Sequence, residues 1–243
     1  MPITGKILAT KIVRMRSSML LVAILAPVLG LAVVWPSEIA SGQEDEFDGL
    51  RIVNILEEPR HRIVHNDGDL WLLDVQINPG DTTLPHTHDS AILYTFISNG
   101  EGPLYGRVSS NTDYVTTSYT HRVSNEGPGL FRIIALANYG AGKAEEGADL
   151  PTGLTREPTL ENPWFRSYRI ELDPGASTAL KTHRNPGVII QVSEGTVHIS
   201  REDGITAELA AMGDWAWRRA GSPYQMHNAG EGPVTVVINE GRR

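Results

Sequence analysis

The sequence predicts an all-β protein, two tandem copies of one strand-rich unit behind an N-terminal export segment. Three observations carry that expectation. The chain is written in short runs that alternate apolar and polar residues, such as LWLLDVQI (70–77), TVHIS (196–200) and VTVVINE (234–240), which is the period of strands and not of helices. A block of residues recurs at a fixed offset. A charge-free apolar run near Met1 follows a cluster of basic residues.

That N-terminal segment is the first element. Lys6, Lys11, Arg14 and Arg16 precede residues 19–35, which carry no charge. A basic flank and a short apolar run form the pattern of a secretory signal. The run is at the short limit of a bilayer span, and Pro27 and Gly30 interrupt it, so residues 1–42 suit a cleaved signal peptide or an inner-membrane anchor. Ala40-Ser41-Gly42 supplies small residues for cleavage and leaves Gln43 as the new terminus. Basic residues on one side only place the rest outside the cytoplasm, in the periplasm or another extracytoplasmic space.

Composition narrows the partners. With 40% apolar residues the chain can bury a core, and with no cysteine that core is held without disulfides. Losing residues 1–42 removes four basic residues and one acid, which takes the net charge from −8 to −11. Nucleic acid is therefore excluded as a partner, since binding it needs a basic surface. The membrane is met only through the N-terminal segment, and a homo-oligomer is compatible with the sequence.

The repeat defines the rest. QINPGDTTLPHTHDSAILYTFISNGEG (76–102) aligns without a gap over ELDPGASTALKTHRNPGVIIQVSEGTV (171–197), and HRVSNEGPG (121–129) lies over YQMHNAGEG (224–232). Each copy turns at Pro-Gly, crosses a Thr-His pair and closes at a glycine. This places a first unit at 43–145 and a second at 146–243. Only AELAAM (207–212) reads as faintly helical.

The spacing Gly80, five residues, His86-Thr87-His88, Gly100, followed by His121, three residues, Asn125, resembles the two signature motifs of the cupin superfamily. Because the second copy keeps the frame, the whole mature chain resembles a bicupin. The resemblance implies two double-stranded β-helix barrels of jelly-roll type with a metal or ligand inside. It implies one divalent transition metal on His86, His88 and His121. His86 and His88 are two apart and share a strand face, while His121 arrives from a distant strand.

In the cupin pattern a glutamate usually follows the second histidine by four or five residues. Those positions are Ile92 and Leu93, and counting back from Gly100 assigns the place to Leu93. Thr95 shares its parity and is expected to face the substrate pocket with it. Without the acid, the resemblance moves from oxalate-degrading cupins toward thiol dioxygenases and the acetylacetone-cleaving dioxygenase. It then implies Fe(II), with Zn(II) or Mn(II) as alternatives, and a small anionic or diketone-like substrate. The corresponding places in the second copy are Lys181, His183, Val188 and Tyr224. A lysine repels a cation, so the second unit is read as structural or ligand-binding with its metal lost. Lys181 and Tyr224 could instead hold an anion or form an acid-base pair.

Other residues have plainer readings. Asp89 has the wrong parity for the site and is a solvated turn residue. Trp215 and Trp217 share a strand face and suit a core between the units better than a sugar platform. His61, His65, His198 and His227 lack paired spacing and read as structural or surface residues. Two functions remain open: a three-histidine dioxygenase-like oxidoreductase, and a non-catalytic extracytoplasmic small-molecule-binding protein. No catalytic acid or base is named by the sequence.

Overall fold

A computed structural model of the chain describes residues 47, 49–143, 151–153, 157–204 and 206–243. The export segment and the boundary at 145/146 lie outside the described residues. The protein is all-β. Its strands are β1 (Val53–Asn54), β2 (His61–Asp67), β3 (Leu70–Ile77), β4 (His86–His88), β5 (Ala91–Asn99), β6 (Pro103–Asn111), β7 (Tyr119–His121) and β8 (Phe131–Asn138). They continue as β9 (Leu160–Glu161), β10 (Phe165–Leu172), β11 (Gly187–Gln191), β12 (Val197–Arg201), β13 (Thr206–Leu209), β14 (Trp215–Arg218), β15 (Tyr224–Asn228) and β16 (Val234–Gly241). Among the described residues, no helix is long and apolar enough to cross a membrane.

Each sheet draws its strands from one half of the chain. The first half forms a five-stranded sheet, β2-β3-β8-β5-β6, and a three-stranded one, β1-β4-β7. The second forms β14-β11-β16-β10-β9 and β13-β12-β15. The segment AELAAM departs from its helical reading: Thr206–Leu209 is a strand, paired antiparallel with β12 from Val197↔Leu209 to Ser200↔Thr206. Four residues are too few for helical propensity to compete with a ladder already on offer.

The apolar runs are nearly continuous because the large sheets are covered on both faces. On β3, Leu73, Val75 and Ile77 join Ile55, Ile92 and Ile133 in a core of the first half. Leu70 and Leu72, of opposite parity, join Leu93, Phe165, Val188, Ile190 and Val237 in a core shared by both halves. Tyr168, Ile189, Ile199, Met226 and Val236 belong to a third core within the second half.

The sequence repeat extends to individual hydrogen bonds. Asn125 Nδ2 donates to the Ile77 and Gly129 carbonyls at 2.9 and 2.8 Å, and Gly127 N donates to its Oδ1 at 3.1 Å. Asn228 Nδ2 donates to Leu172 and Gly232, both at 2.9 Å, and Gly230 N to its Oδ1 at 2.9 Å. The Pro-Gly turns match as well. Asp81 N bonds Asn78 O and Ala176 N bonds Asp173 O, both at 3.0 Å. Gly80 and Gly175 sit at φ +78° and +72°, the positive φ that a Pro-Gly type II turn demands.

Candidate metal centre

The histidines converge through strand pairing. β4 and β7 are antiparallel with His86 opposite His121. Alternation along β4 buries His86 and His88 and leaves Thr87 on the other side, where its hydroxyl meets that of Thr120 at 2.8 Å. His86 Nδ1–H donates to the Leu84 carbonyl at 2.9 Å, which fixes the tautomer and leaves the lone pair on Nε2. That Nε2 is buried and has no hydrogen-bond partner. His88 Nε2 and His121 Nε2 lie 3.0 Å apart. One ligand nitrogen from each histidine falls in a group spanning at most 4.8 Å.

This geometry fits a metal. Two nitrogens each about 2.1 Å from one ion and at right angles are about 3.0 Å apart, the separation found between His88 and His121. The donors are also kept in the ligating form. Burial is the main cause, holding His121 at about 3 and His88 well below the ordinary imidazole value, with the neighbouring histidines adding to it. Neutral imidazoles bind a cation without first losing a proton.

An outer layer orients the set. The buried Glu58 carboxylate accepts from Leu84 N at 3.2 Å and Arg60 N at 2.6 Å, and Leu84 in turn holds His86. Such support is what aligns first-row metal ligands. His61, read from sequence as an ordinary residue, is buried in the same interior. Its ring stands edge-on to His86, centroids 4.4 Å apart, and its Nδ1 has no hydrogen-bond partner. Isolated spacing gave no signal for it; the cue is the pairing of His61 with Val75, a residue of the first-half core. Tyrosines complete the surroundings. Tyr114 lies 5.1 Å from the His88 ring and stacks on Tyr119 at 5.7 Å. Burial raises the phenols of Tyr94 and Tyr114, which share a hydrogen bond, and keeps both protonated.

Two expected pocket residues are elsewhere. Leu93 belongs to the core shared between the halves, and Thr95 Oγ1 accepts from Asn239 Nδ2 at 2.7 Å. The residues of β5 that turn inward are Ile92, Tyr94 and Phe96. The glutamate place therefore falls on Ile92, four residues after His88, and counting from Gly100 fails because β5 shifts register between Phe96 and Ser98. One irregular residue inverts parity. Asp89 stays away from the site as expected, accepting from Asn54 Nδ2 and Tyr139 O–H at 3.0 Å each.

The second half repeats the pairing without the donors. Lys181 faces Tyr224 across an isolated bridge, as His86 faces His121. Lys181 Nζ donates to the Gly153 carbonyl at 2.7 Å. His183 has both nitrogens committed: Nδ1–H donates to Glu240, and Nε2 accepts from the Tyr224 hydroxyl at 2.8 Å. Val188, like Leu93, faces the shared core. Trp215 and Trp217 pack against that core, with His65 4.4 Å from Trp217. His198 bonds Glu208 at 3.1 Å and His227 bonds Ser177 at 3.0 Å, both at the surface. Among the described residues, His86, His88 and His121 are the group able to hold a metal.

An all-β scaffold carrying a three-histidine centre is thus the class that fold and site define. No protein-family model and no curated protein matches the chain. Among solved structures it is similar to AerE from Microcystis aeruginosa, with TM-score 0.52 and 12% identity over 76% of this chain and 99% of that one. It is also similar to a cupin 2 conserved barrel domain protein from Leptotrichia buccalis, with TM-score 0.45 and 9% identity over 74% and 88% of the two chains. A cupin domain from Bordetella pertussis Tohama I gives TM-score 0.32 and 19% identity over 39% of this chain and 94% of that domain. The likeness to AerE is one of fold.

Proposed function

We propose that this chain is an exported bicupin that binds one divalent metal in its first barrel and acts there as a dioxygenase-like oxidoreductase on a small anionic or diketone-like molecule. The observation that carries the reading is the convergence of three neutral imidazoles, with His86 Nε2 buried and unpartnered. Three neutral ligands leave a divalent ion its full charge, and Fe(II) so held supplies Lewis-acid polarisation and one-electron redox chemistry. The chain's own residues do the rest. Glu58, through Leu84, fixes the tautomer of His86. Ile92 and Phe96 limit water. Tyr94 gives its proton to Tyr114, and the protonated Tyr114 is the hydrogen-bond donor for an anionic oxygen.

The second barrel, with Lys181 and Tyr224 in two ligand places and both nitrogens of His183 occupied, holds no metal in this reading. Elemental analysis of mature protein from the periplasm tests it. One metal per chain is expected, lost in His86→Ala, His88→Ala and His121→Ala and kept in His183→Ala. Two metals per chain would overturn the assignment. Oxygen uptake by Fe(II)-loaded protein given acetylacetone separates an enzyme from an extracytoplasmic binding protein, which would consume none.

A further inference from the structure

The interior of the second half is less filled than that of the first. The aligned repeat sets Ile189 over Tyr94 and Gln191 over Phe96, and Tyr94 and Phe96 pack into the first-half core. Ile189 carries a smaller side chain than the tyrosine it replaces. Gln191 turns its amide aside, Nε2 donating to the Ser193 and Gly195 carbonyls at 3.0 and 2.7 Å. Ile189 lies opposite Ala216 on β14, and Ile199 opposite Ala207 on β13. Two alanines thus stand beside the room that the first half gives to a phenol.

A cavity of about 220 Å³ opens there, walled by Ile189, Ile199, Ala207, Ala216 and Tyr224. Ile189, Ile199 and Tyr224 belong to the second-half core, and both alanines pack against it. β13 and β14 are edge strands of separate sheets, so the seam between them is the way in, and the exposed Thr206 marks its outer end. The polar groups on the wall are turned elsewhere. The Tyr224 hydroxyl is given to His183 Nε2 at 2.8 Å. Arg218 Nη1 donates to the Asn185 carbonyl at 2.7 Å, and its Nε and Nη2 are sealed by packing, with Nη2 over Gly187 and beside Glu240. Arg201 Nε pairs with Asp203 Oδ1 at 3.6 Å. A cavity without a set of polar partners holds water poorly, and one of about 150 Å³ with apolar walls takes a benzene.

We propose that the second half binds a small uncharged, hydrocarbon-like molecule of one six-membered ring, held between Ile189 and Ala216 of the large sheet and Ile199 and Ala207 of the small one. The driving force is apolar area removed from water, on the ligand and on the wall alike. The volume, below that of a drug-sized pocket, selects a single ring. Charge is selected against, because a carboxylate or ammonium would lose its hydration and gain no partner. The metal centre of the first half plays no part, so the inference stands apart from the chemistry proposed there.

Titration of the whole mature protein with toluene, followed through its isoleucine methyls by nuclear magnetic resonance, tests the idea. Saturable binding with a Kd below about 1 mM is expected. The ring current of the ligand should move the Ile189 and Ile199 methyls and leave those of Ile133, in the first-half core, in place. Benzoate, with the same ring and a charge, should bind weaker by about tenfold or more. Ala207→Leu and Ala216→Leu fill the cavity from its two sides, and each should weaken toluene by about tenfold or more with the far-UV circular dichroism of wild type. If neither variant folds, the methyl shifts decide the matter. His88→Ala should bind toluene as wild type does. No saturation by about 5 mM toluene, shifts that spare Ile189 and Ile199, benzoate as tight as toluene, wild-type affinity in either folded leucine variant, or loss of binding in His88→Ala would each overturn the proposal.

Discussion

Ile92 is the residue on which the chemistry of the first half turns. It is 1% exposed, faces inward, and follows His88 by four positions. Ile92→Glu should add a fourth, anionic ligand. Metal retention should rise, while the apo protein loses about 1–3 kcal/mol from a carboxylate buried without a partner and regains it on loading. Thermal melts with and without Zn(II) give the comparison; identical melts in both states would remove Ile92 from the site. Acidity makes a second test. His121 and His183 are held near 3 and 4, mainly by burial, against about 6.5 in the unfolded chain. The unfolded chain therefore binds protons that the folded one refuses. The stability these groups confer is complete above about pH 6.5 and drains away as pH falls from there toward 4 and 3. Denaturant midpoints should fall steadily from pH 7 to pH 4.5, and a flat profile would mean that these rings titrate freely.

At the scale of elements, the two asparagine clamps do the same work in the two halves. Asn125→Ala and Asn228→Ala each leave two carbonyls and one amide N–H without their partner, a loss of about 1–3 kcal/mol or more. Matched destabilisation by urea unfolding is expected, and a large inequality would show that the clamps are not equivalent. What Asn125 and Asn228 bond was not legible in the sequence, but their equivalence was, because they sit at the same place in aligned blocks. So were the convergence of His86, His88 and His121 and the inward parity of His88 relative to His86. The facing of β5 was not. Its register shift at Phe96/Ser98 leaves no mark in a string of letters, and counting through it put Leu93 and Thr95 on the wrong side. The strand character of Thr206–Leu209 was hidden too, since a four-residue ladder is specified by its partner β12 more than by its own residues. His61 shares that fate: it becomes informative only when strand pairing shows what it faces.

The whole molecule is joined by more than a linker. Leu70, Leu72, Leu93 and Leu136 from one half share a core with Phe165, Val188, Val192 and Val237 from the other. Arg132 grips Asp74 through two nitrogens, at 3.0 and 3.1 Å, and donates to the Gly213 carbonyl at 3.1 Å. A shared core of this kind makes cooperative units merge. The mature protein should melt in one transition seen alike by near-UV and far-UV circular dichroism, and metal bound in the first half should move that transition as a whole. Two resolved transitions, with metal shifting one of them, would show the halves to be independent.

β16 supplies the fastening across that core. Asn239, on the strand, bonds Thr95, 144 positions away, and Arg242 just beyond it offers its carbonyl to Asn138, 104 positions away. Arg243 reaches Asp67 across 176 positions, and Gly241 lies so close to Leu70 that a Cβ would fall 2.4 Å from its side chain. Contacts this remote in sequence give nothing until nearly all the chain between them has been gathered, and their closure entropy is met first. Until β16 docks, the face of the first half that carries Leu70, Leu72 and Leu93 lacks part of its cover. The time between the making of the first sheet and the arrival of β16 is therefore the interval in which this protein is most open to sticking to its neighbours.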